Sequence, residues 1–448
     1  MSGFPIFAAN QFTIQFMKSI IFCCLSACLF FGGYAQNINS IINAKEVERI
    51  ERILSSDDMQ GRKAFTPAID RAADFIADEF KSAGVEPWNS NGSYLQSFSV
   101  VRTNFISARA RLDGDTVPTQ NIVAFTSKTD LHVTEDSGYT KAYVKPGDNL
   151  RAVLGKYIQS EKSWIVFVDT SFGKQLRILP SYSRPAFERD RSVVVILTTK
   201  DPKEYDIEVK HEITKSRLAN VGAMLTGKSK KDEYVIFSAH YDHLGIGKPD
   251  IKGDSIYNGA NDDASGCTAV MMLARYFKQL NSNERTIVFV TFTAEEIGGY
   301  GSQYFSKQFD PSKVAAMFNI EMIGTESKWG VNSAYITGYE KSDMGKIIEK
   351  NLAGSKFQFH PDPYTPQNLF YRSDNATLAR QGVPAHTIST SKMEEFPNNE
   401  PNYHKQSDEI GTLDMNNMAE IIKAIAISST SIVAGKDTPT RIDTQELR

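Results

Sequence analysis

The sequence has no basic field, no internal repeat, no low-complexity run and very little cysteine. Its 50 Lys and Arg stand against 53 Asp and Glu, a net charge of -3. Such a balance offers nothing for a phosphate backbone to hold, so nucleic acid is set aside as a partner. There are 4 cysteines, and Cys23, Cys24 and Cys28 lie close to the N-terminus. The rest of the chain keeps Cys267 alone, which excludes an internal disulfide. Cys267 opens an apolar helical stretch and reads as a buried small hydrophobe, not as a nucleophile or ligand. Long apolar runs are scarce as well. The run Ile20 to Phe31 is too short for a transmembrane helix, and no other spanning segment is present.

That run has another reading. Lys18 precedes it and Gly32-Gly33-Tyr34-Ala35-Gln36 follows it. A positive start, a short apolar stretch and small residues before a cleavage point make residues 1–35 a secretory signal peptide. The expected location is therefore secreted or periplasmic. Leu25-Ser26-Ala27-Cys28 is similar to a bacterial lipobox, but apolar residues continue past Cys28. An N-terminal lipid anchor is the less favoured alternative, and no further membrane contact is expected.

What is present is ordinary globular material. The 448 residues are 41% hydrophobic and 23% charged, enough for two domains with a sizeable core. From residue 40 to 85 the spacing is helical. Ile41, Ile42, Val47, Ile50 and Ile53 recur on one face. Ile69, Ala72, Ala73, Ile76 and Phe80 do so in a second run that Gly84 stops. Between them, Gly61-Arg62 reads as a turn with a solvated charge. Residues 111–215 differ, with short β-like runs at Asn121–Phe125, Lys141–Val144, Trp164–Val168 and Val193–Leu197 separated by turns. No metal or acid–base pattern occurs there. From residue 216 to 435, strand-like runs at Tyr234–Ala239, Thr286–Thr293, Val314–Ile320, Ala334–Thr337 and Ala385–Ile388 alternate with helical stretches at Ala264–Leu280 and Lys341–Leu352. Short buried strands between helices predict an α/β fold, a central sheet covered on both faces. Functional groups then gather beyond the carboxyl ends of strands.

The chemistry-bearing residues fall at those ends. His240-Tyr241-Asp242-His243 follows the first strand and Asn261-Asp262-Asp263 opens the next helix. Glu295-Glu296 follows the strand after it, Glu321 ends another, and Tyr403-His404 lies in a late loop. Each alone has a plain explanation: a surface turn, a helix N-terminus or a solvated face. Together they bring imidazole and carboxylate ligands to one sheet edge. That mixture suits zinc, whereas an all-oxygen set would suit calcium or magnesium. His132, His211 and His360 read as surface residues, and His386 as a satisfied core histidine. His243 is divided between supporting the site and a structural role. Ser373-Asp374 is divided between the substrate pocket and a helix N-cap.

In their order and wording, Ser238-Ala239-His240-Tyr241-Asp242-His243, Gly259-Ala260-Asn261-Asp262-Asp263-Ala264-Ser265-Gly266, Thr293-Ala294-Glu295-Glu296-Ile297-Gly298, Asn319-Ile320-Glu321-Met322-Ile323-Gly324 and Tyr403-His404-Lys405-Gln406-Ser407-Asp408 resemble the motifs of a zinc metallopeptidase family. It includes secreted bacterial di-zinc aminopeptidases and the glutamate carboxypeptidase II type, with glutaminyl cyclases as single-zinc relatives. The resemblance runs from about residue 45 to 430, interrupted by the 111–215 module. That module stands where some members carry a protease-associated domain. The resemblance implies a mixed sheet of the phosphorylase/hydrolase-like kind, with residues 37–110 joining 216–435 in the peptidase domain. It implies two Zn2+ per chain, held by His240, Asp262, Glu296, Glu321 and His404, with Asp262 bridging. It implies Glu295 as general base, Asp242 orienting the His240 imidazole from behind, and Tyr403 polarising the scissile carbonyl oxygen. Peptides are the implied substrates and aminopeptidase the implied activity. Most members carry Asp where Glu321 stands, and the extra methylene lengthens its reach by one carbon–carbon bond. Three alternatives remain. A carboxypeptidase would need a cation such as Arg372, a glutaminyl cyclase would use one zinc, and a non-catalytic binding protein would not need Glu295.

Overall fold

Side-chain alternation along the strand Lys230–His240 sets up the half of the molecule that carries the histidine and carboxylate motifs. Val235, Phe237 and Ala239 join one apolar cluster while Ile236 joins another, as successive strand residues face opposite sides. Both faces are thus covered, which the continuous apolar runs required. The computed structural model describes residues 38–89, 91–178, 184–393 and 401–447. The signal-peptide and lipobox readings lie outside these residues. No helix among the described residues is long and apolar enough to cross a membrane.

The chain forms two compact units. The first comprises residues up to Gln96 and from Ala219 onward; the second is Ser97–Leu218, wider than the 111–215 stretch. In the first unit a mixed sheet runs in the order Gln358–Pro361, Ser333–Ile336, Ala385–Ser389, Val314–Ile320, Lys230–His240, Arg285–Phe292, then the end of Tyr205–Leu225. The three strands Val314–Ile320, Lys230–His240 and Arg285–Phe292 are mutually parallel neighbours. Their carboxyl ends therefore open on one edge. On one face lie the helices Ala44–Leu54, Pro67–Ala83, Ser265–Leu280 and Met415–Ser428. Phe237 anchors this layer, its ring 5.5 Å from that of Phe277, 5.9 Å from Phe289 and 5.1 Å from Phe318. Each such fully buried ring contributes roughly 1.5–3 kcal/mol.

Helix ends follow local chemistry. Pro67 starts its helix and Gly84 ends it in the left-handed region at φ 74°, where a side chain would be strained. Gly61-Arg62 departs from the solvated turn that the sequence suggests. Arg62 is completely buried. It donates to the carbonyls of Tyr241 at 2.8 Å, Leu54 at 2.8 Å, Asn258 at 2.6 Å and Gly259 at 2.8 Å. One guanidinium thus ties the N-terminal segment to the loops on either side of the site. Gly61 lies at φ 65°, and a Cβ there would sit 2.4 Å from the Tyr257 carbonyl oxygen, so only glycine fits.

The second unit has a four-stranded sheet in the order Ile122–Phe125, Val193–Leu197, Trp164–Val168, Thr140–Val144. Its two faces carry separate apolar clusters, Ile165 and Phe167 on one, Val166 and Val168 on the other. The helices Leu150–Gln159 and Gly173–Ile178 lie in the stretch that reads as β-rich. Their apolar faces are narrow, with Leu150 and Leu154 the buried residues of the first, so turn residues around them masked the helical period. His211, expected at the surface, is 5% exposed and packs edge-on to Phe105.

Candidate metal centre and substrate pocket

Asp262 lies in the tight turn Ala260–Ala264 that leads into the helix Ser265–Leu280. Its two oxygens face different ligand groups. Oδ1 is 3.2 Å from His240 Nε2, and Oδ2 is 3.3 Å from His404 Nε2 and 4.0 Å from His243 Nδ1. Glu296 completes the second group, with Oε1 2.8 Å from His243 Nδ1 and Oε2 3.2 Å from His404 Nε2. Glu321 completes the first. Potential ligand atoms of His240, Asp262 and Glu321 lie within 4.8 Å of one another, and those of His243, Asp262 and Glu296 do the same. The five residues that the resemblance implies as ligands thus come together, and His243 lies among them. Its signal was its place in the His240-Tyr241-Asp242-His243 motif.

The donors fit a metal. His243 Nε2 and Glu321 Oε2 are buried with no hydrogen-bond partner, and His243 Nδ1 and Glu296 Oε1, also buried, have only their 2.8 Å approach to each other. Buried polar atoms are rarely left so, and a cluster of them signals a bound ion. Imidazole and carboxylate donors suit zinc. The charges respond to one another. Burial opposes a charge on His404, but Asp262 and Glu296 carry its pKa up to about 10. Burial likewise works against the Asp262 carboxylate, yet His240 and His404 hold it well below its usual range.

Supporting residues hold this arrangement from behind. Asp408 accepts from the Asn261 N–H at 2.8 Å with one oxygen and from the Asp262 N–H at 3.0 Å with the other. Asp263 accepts from the backbone N–H groups of His240, Gly266 and Met322, joining three loops. Neither role was legible from the motif. Asp242 accepts from the backbone of Glu295 at 2.9 Å and of Glu296 at 3.3 Å. Its contact with the His240 ring runs through its own carbonyl oxygen, 3.1 Å from Nδ1, while its carboxylate is 3.9 Å away. Asp242 therefore positions the glutamate pair at least as directly as the imidazole. Ala294, Met322 and His404 all have positive φ, between 54° and 60°, a strained region for such residues and a frequent mark of functional loops.

Glu295 is enclosed with Asp374, Glu321 and Glu296 nearby. Burial, reinforced by these carboxylates and only partly offset by His240, raises its pKa well above the ordinary value. A pocket of about 90 Å³ opens beside it, lined by Glu295, Glu321, Tyr335, Arg372, Ser389 and Tyr403 among others. The Tyr403 ring stacks on His404 at 3.9 Å, and burial beside Asp262, Glu296 and Glu321 raises the pKa of its hydroxyl, so it keeps its proton. Ser373 lines the pocket and its Oγ accepts from Asn319 Nδ2 at 2.7 Å. Asp374 sits at the N-cap position of Asn375–Ala379 but makes no side-chain cap; of this pair only Ser373 lines the pocket.

The remaining histidines fall elsewhere. His132 is exposed and paired with Asp206, and His360 stacks on Trp329. His386 is a satisfied core residue, bonded to the Thr337 carbonyl and the Ser342 hydroxyl. Cys267 is buried, with Sγ 3.0 Å from the His240 carbonyl oxygen.

Residues 220–428 match the family model described as Peptidase family M28. That stretch is similar to M28 peptidases. Among curated relatives, a probable zinc metalloprotease of Pyricularia oryzae is 34% identical over 113 residues, 25% of this chain and 22% of that protein. Aminopeptidase YwaD of Bacillus subtilis is 29% identical over 128 residues, 28% of this chain and 25% of that one. The matched stretches thus span about a quarter of the length of these relatives. Among solved structures, an aminopeptidase from Aneurinibacillus sp. strain AM-1 superposes with a TM-score of 0.52 at 17% identity, covering 92% of this chain and 98% of that one. BSAP, a zinc aminopeptidase from Bacillus subtilis, gives 0.51 at 16% identity, covering 89% and 97%. These two likenesses establish a shared fold, the mixed sheet with flanking helices.

Proposed function

We propose that this chain is a secreted or periplasmic aminopeptidase that holds two zinc ions and releases N-terminal residues from peptides. The observation that carries the reading is the division of the Asp262 carboxylate between His240 on one side and His404 and His243 on the other. A carboxylate shared in this way suits a bridge between two ions, and the orphaned atoms on both sides favour both being filled. His240, Asp262 and Glu321 would hold one zinc; Asp262, Glu296, His404 and His243 surround the place of the other. Zinc bound here would supply Lewis acidity to the scissile carbonyl and to the attacking water.

The chain's own groups do the rest. Glu295, with its raised pKa, takes a proton from the attacking water and delivers it to the leaving nitrogen. Tyr403, keeping its proton, donates to the developing oxyanion. Asp242 keeps Glu295 in place through the backbone. A substrate ammonium would lie among Glu295 and Glu321, where charge-assisted hydrogen bonds are roughly twice as strong as neutral ones. The small pocket would then accept one side chain.

Arg372 favours a second reading. It lines the same pocket and could meet a substrate carboxylate, as a carboxypeptidase requires. Free, N-acetylated and C-amidated versions of one peptide separate the two. The aminopeptidase reading expects N-acetylation to abolish cleavage and C-amidation to leave it intact. The reverse pattern would replace it with the carboxypeptidase.

A further inference from the structure

The second unit contains a cleft of about 740 Å³ that takes no part in the zinc site. Pockets of roughly 300–1,000 Å³ are the usual size for small ligands. Three independent features define what would fit.

The first is backbone. Ile122, Val123, Ala124 and Phe125 all line the cleft. They form an end strand of the four-stranded sheet, paired with Val193–Leu197 on one side. Adjacent side chains of a strand point to opposite faces. Four successive residues lining one cleft therefore place it along the strand's outer edge, not over one face. No described strand pairs with that edge, and an open edge is a template for another extended chain.

The second is charge. Arg177, Arg184 and Arg189 line the cleft, and no acidic side chain among the described residues does. Arg189 is partly buried and donates to the Ile158 carbonyl at 3.0 Å. Arg177 and Arg184 are exposed, and neither makes an ion pair with a described residue.

The third is an orphaned group. His211 lines the cleft, is 5% exposed, and its Nδ1 is buried without a hydrogen-bond partner. Burial lowers the pKa of the ring, so it stays neutral at physiological pH. A buried polar atom without a partner costs roughly 1–3 kcal/mol, and a ligand that pairs with it recovers that cost.

We propose that this cleft binds an extended apolar peptide ending in a free carboxylate, added as a further strand to Ile122–Phe125, with its carboxylate held by Arg177 and Arg184 and a backbone group paired with His211. A fatty acid would use the apolar walls and the arginines but leave both the strand edge and His211 unpaired. An extended peptide satisfies all three, by the mode in which main-chain bonds give affinity and flanking walls select side chains. The proposal does not depend on the reading of the zinc site.

The test uses the full chain with its metal and a fluorescein-labelled peptide, Val-Thr-Val-Val-Phe, blocked at its N-terminus by the label and free at its C-terminus. Fluorescence anisotropy should show saturable binding. The C-terminal amide and the R177A/R184A double variant should each weaken it by roughly tenfold, the scale of a lost charge-assisted contact. N-methylation of alternate amides should abolish binding in one of the two possible phases and spare it in the other. R372A should leave binding unchanged. The ligand-side changes keep the test decisive if the double variant fails to fold. Absence of saturable binding overturns the proposal, as does loss on R372A, which would put the peptide in the zinc-site pocket. Competition by decanoate, with both N-methylated phases binding normally, also overturns it in favour of an acyl-chain site.

Discussion

Asp262 and Asp408 are joined through backbone: the N–H of Asp262 points at one oxygen of Asp408 at 3.0 Å, and the preceding N–H of Asn261 at the other at 2.8 Å. A carboxylate that must serve two ligand groups at once cannot be left to rotate. Asp408 fixes the backbone from which it projects, in the way that outer partners orient metal ligands. Asp408→Ala should therefore weaken metal retention with the ligands themselves intact. Such outer partners are typically worth about 10–100-fold in metal affinity or activity. Chelator titration followed by metal analysis checks this; unchanged retention removes Asp408 from the site.

Glu295→Gln separates base from ligand. The amide keeps the shape of the side chain but cannot take a proton. Zinc content should stay at the wild-type level while turnover falls by about 10²–10⁴, the usual contribution of general-base catalysis. A loss of zinc in step with activity would make Glu295 a ligand instead.

Glu321→Asp shortens the reach of one proposed ligand by a methylene. The aspartate still offers a carboxylate at zinc-bonding distance, and its backbone is held by the Glu321 N–H bond to the Ile388 carbonyl at 3.1 Å. The variant should remain active with changed zinc affinity. An inactive protein with full metal occupancy would contradict this and give the longer side chain a second task.

Arg62 is predicted to be a stability residue with a catalytic echo. Arg62→Met removes donors to four carbonyl groups. Unpaired buried acceptors cost roughly 1–3 kcal/mol each before relaxation. Thermal unfolding should show a clear fall in Tm, and metal affinity should fall with it, because Tyr241, Asn258 and Gly259 flank the ligands. A Tm within a degree or so of wild type would mean that water replaces the guanidinium.

His386 gives a pH dependence. Burial takes its folded pKa down to about 4, although the Thr337 carbonyl works the other way. The unfolded ring titrates near 6.5, so the unfolded state takes up a proton first. Stability from the neutral ring is full above pH ~6.5 and is lost as pH falls toward 4, by up to about 3 kcal/mol in all. Urea denaturation at pH 7 and pH 4.5 should show a larger acid loss for the wild type than for His386→Gln. Equal losses would exclude His386 as the source.

Local sequence was enough to set the strand ends and the types of side chain gathered at them. Tyr234–Ala239, Thr286–Thr293 and Val314–Ile320 are short apolar runs, because a strand buried on both faces must be apolar at every position. Residues that immediately follow such runs emerge at a sheet edge, which is why His240, Glu295, Glu296 and Glu321 could be placed before any coordinates. Periodicity tells which face of an element is buried but not what lies opposite it. Gly61-Arg62 therefore looked solvated, although Arg62 is buried under Tyr241, 179 residues away in sequence. Asp408 reaches Asn261 across 147 residues, and no local spacing records such a pairing. His243 had even standing with a structural role until folding turned its ring toward Glu296. The edge-strand cleft around His211 was hidden for the same reason: a strand's sequence sets its faces, but only the order of strands in the finished sheet decides which edge is left open.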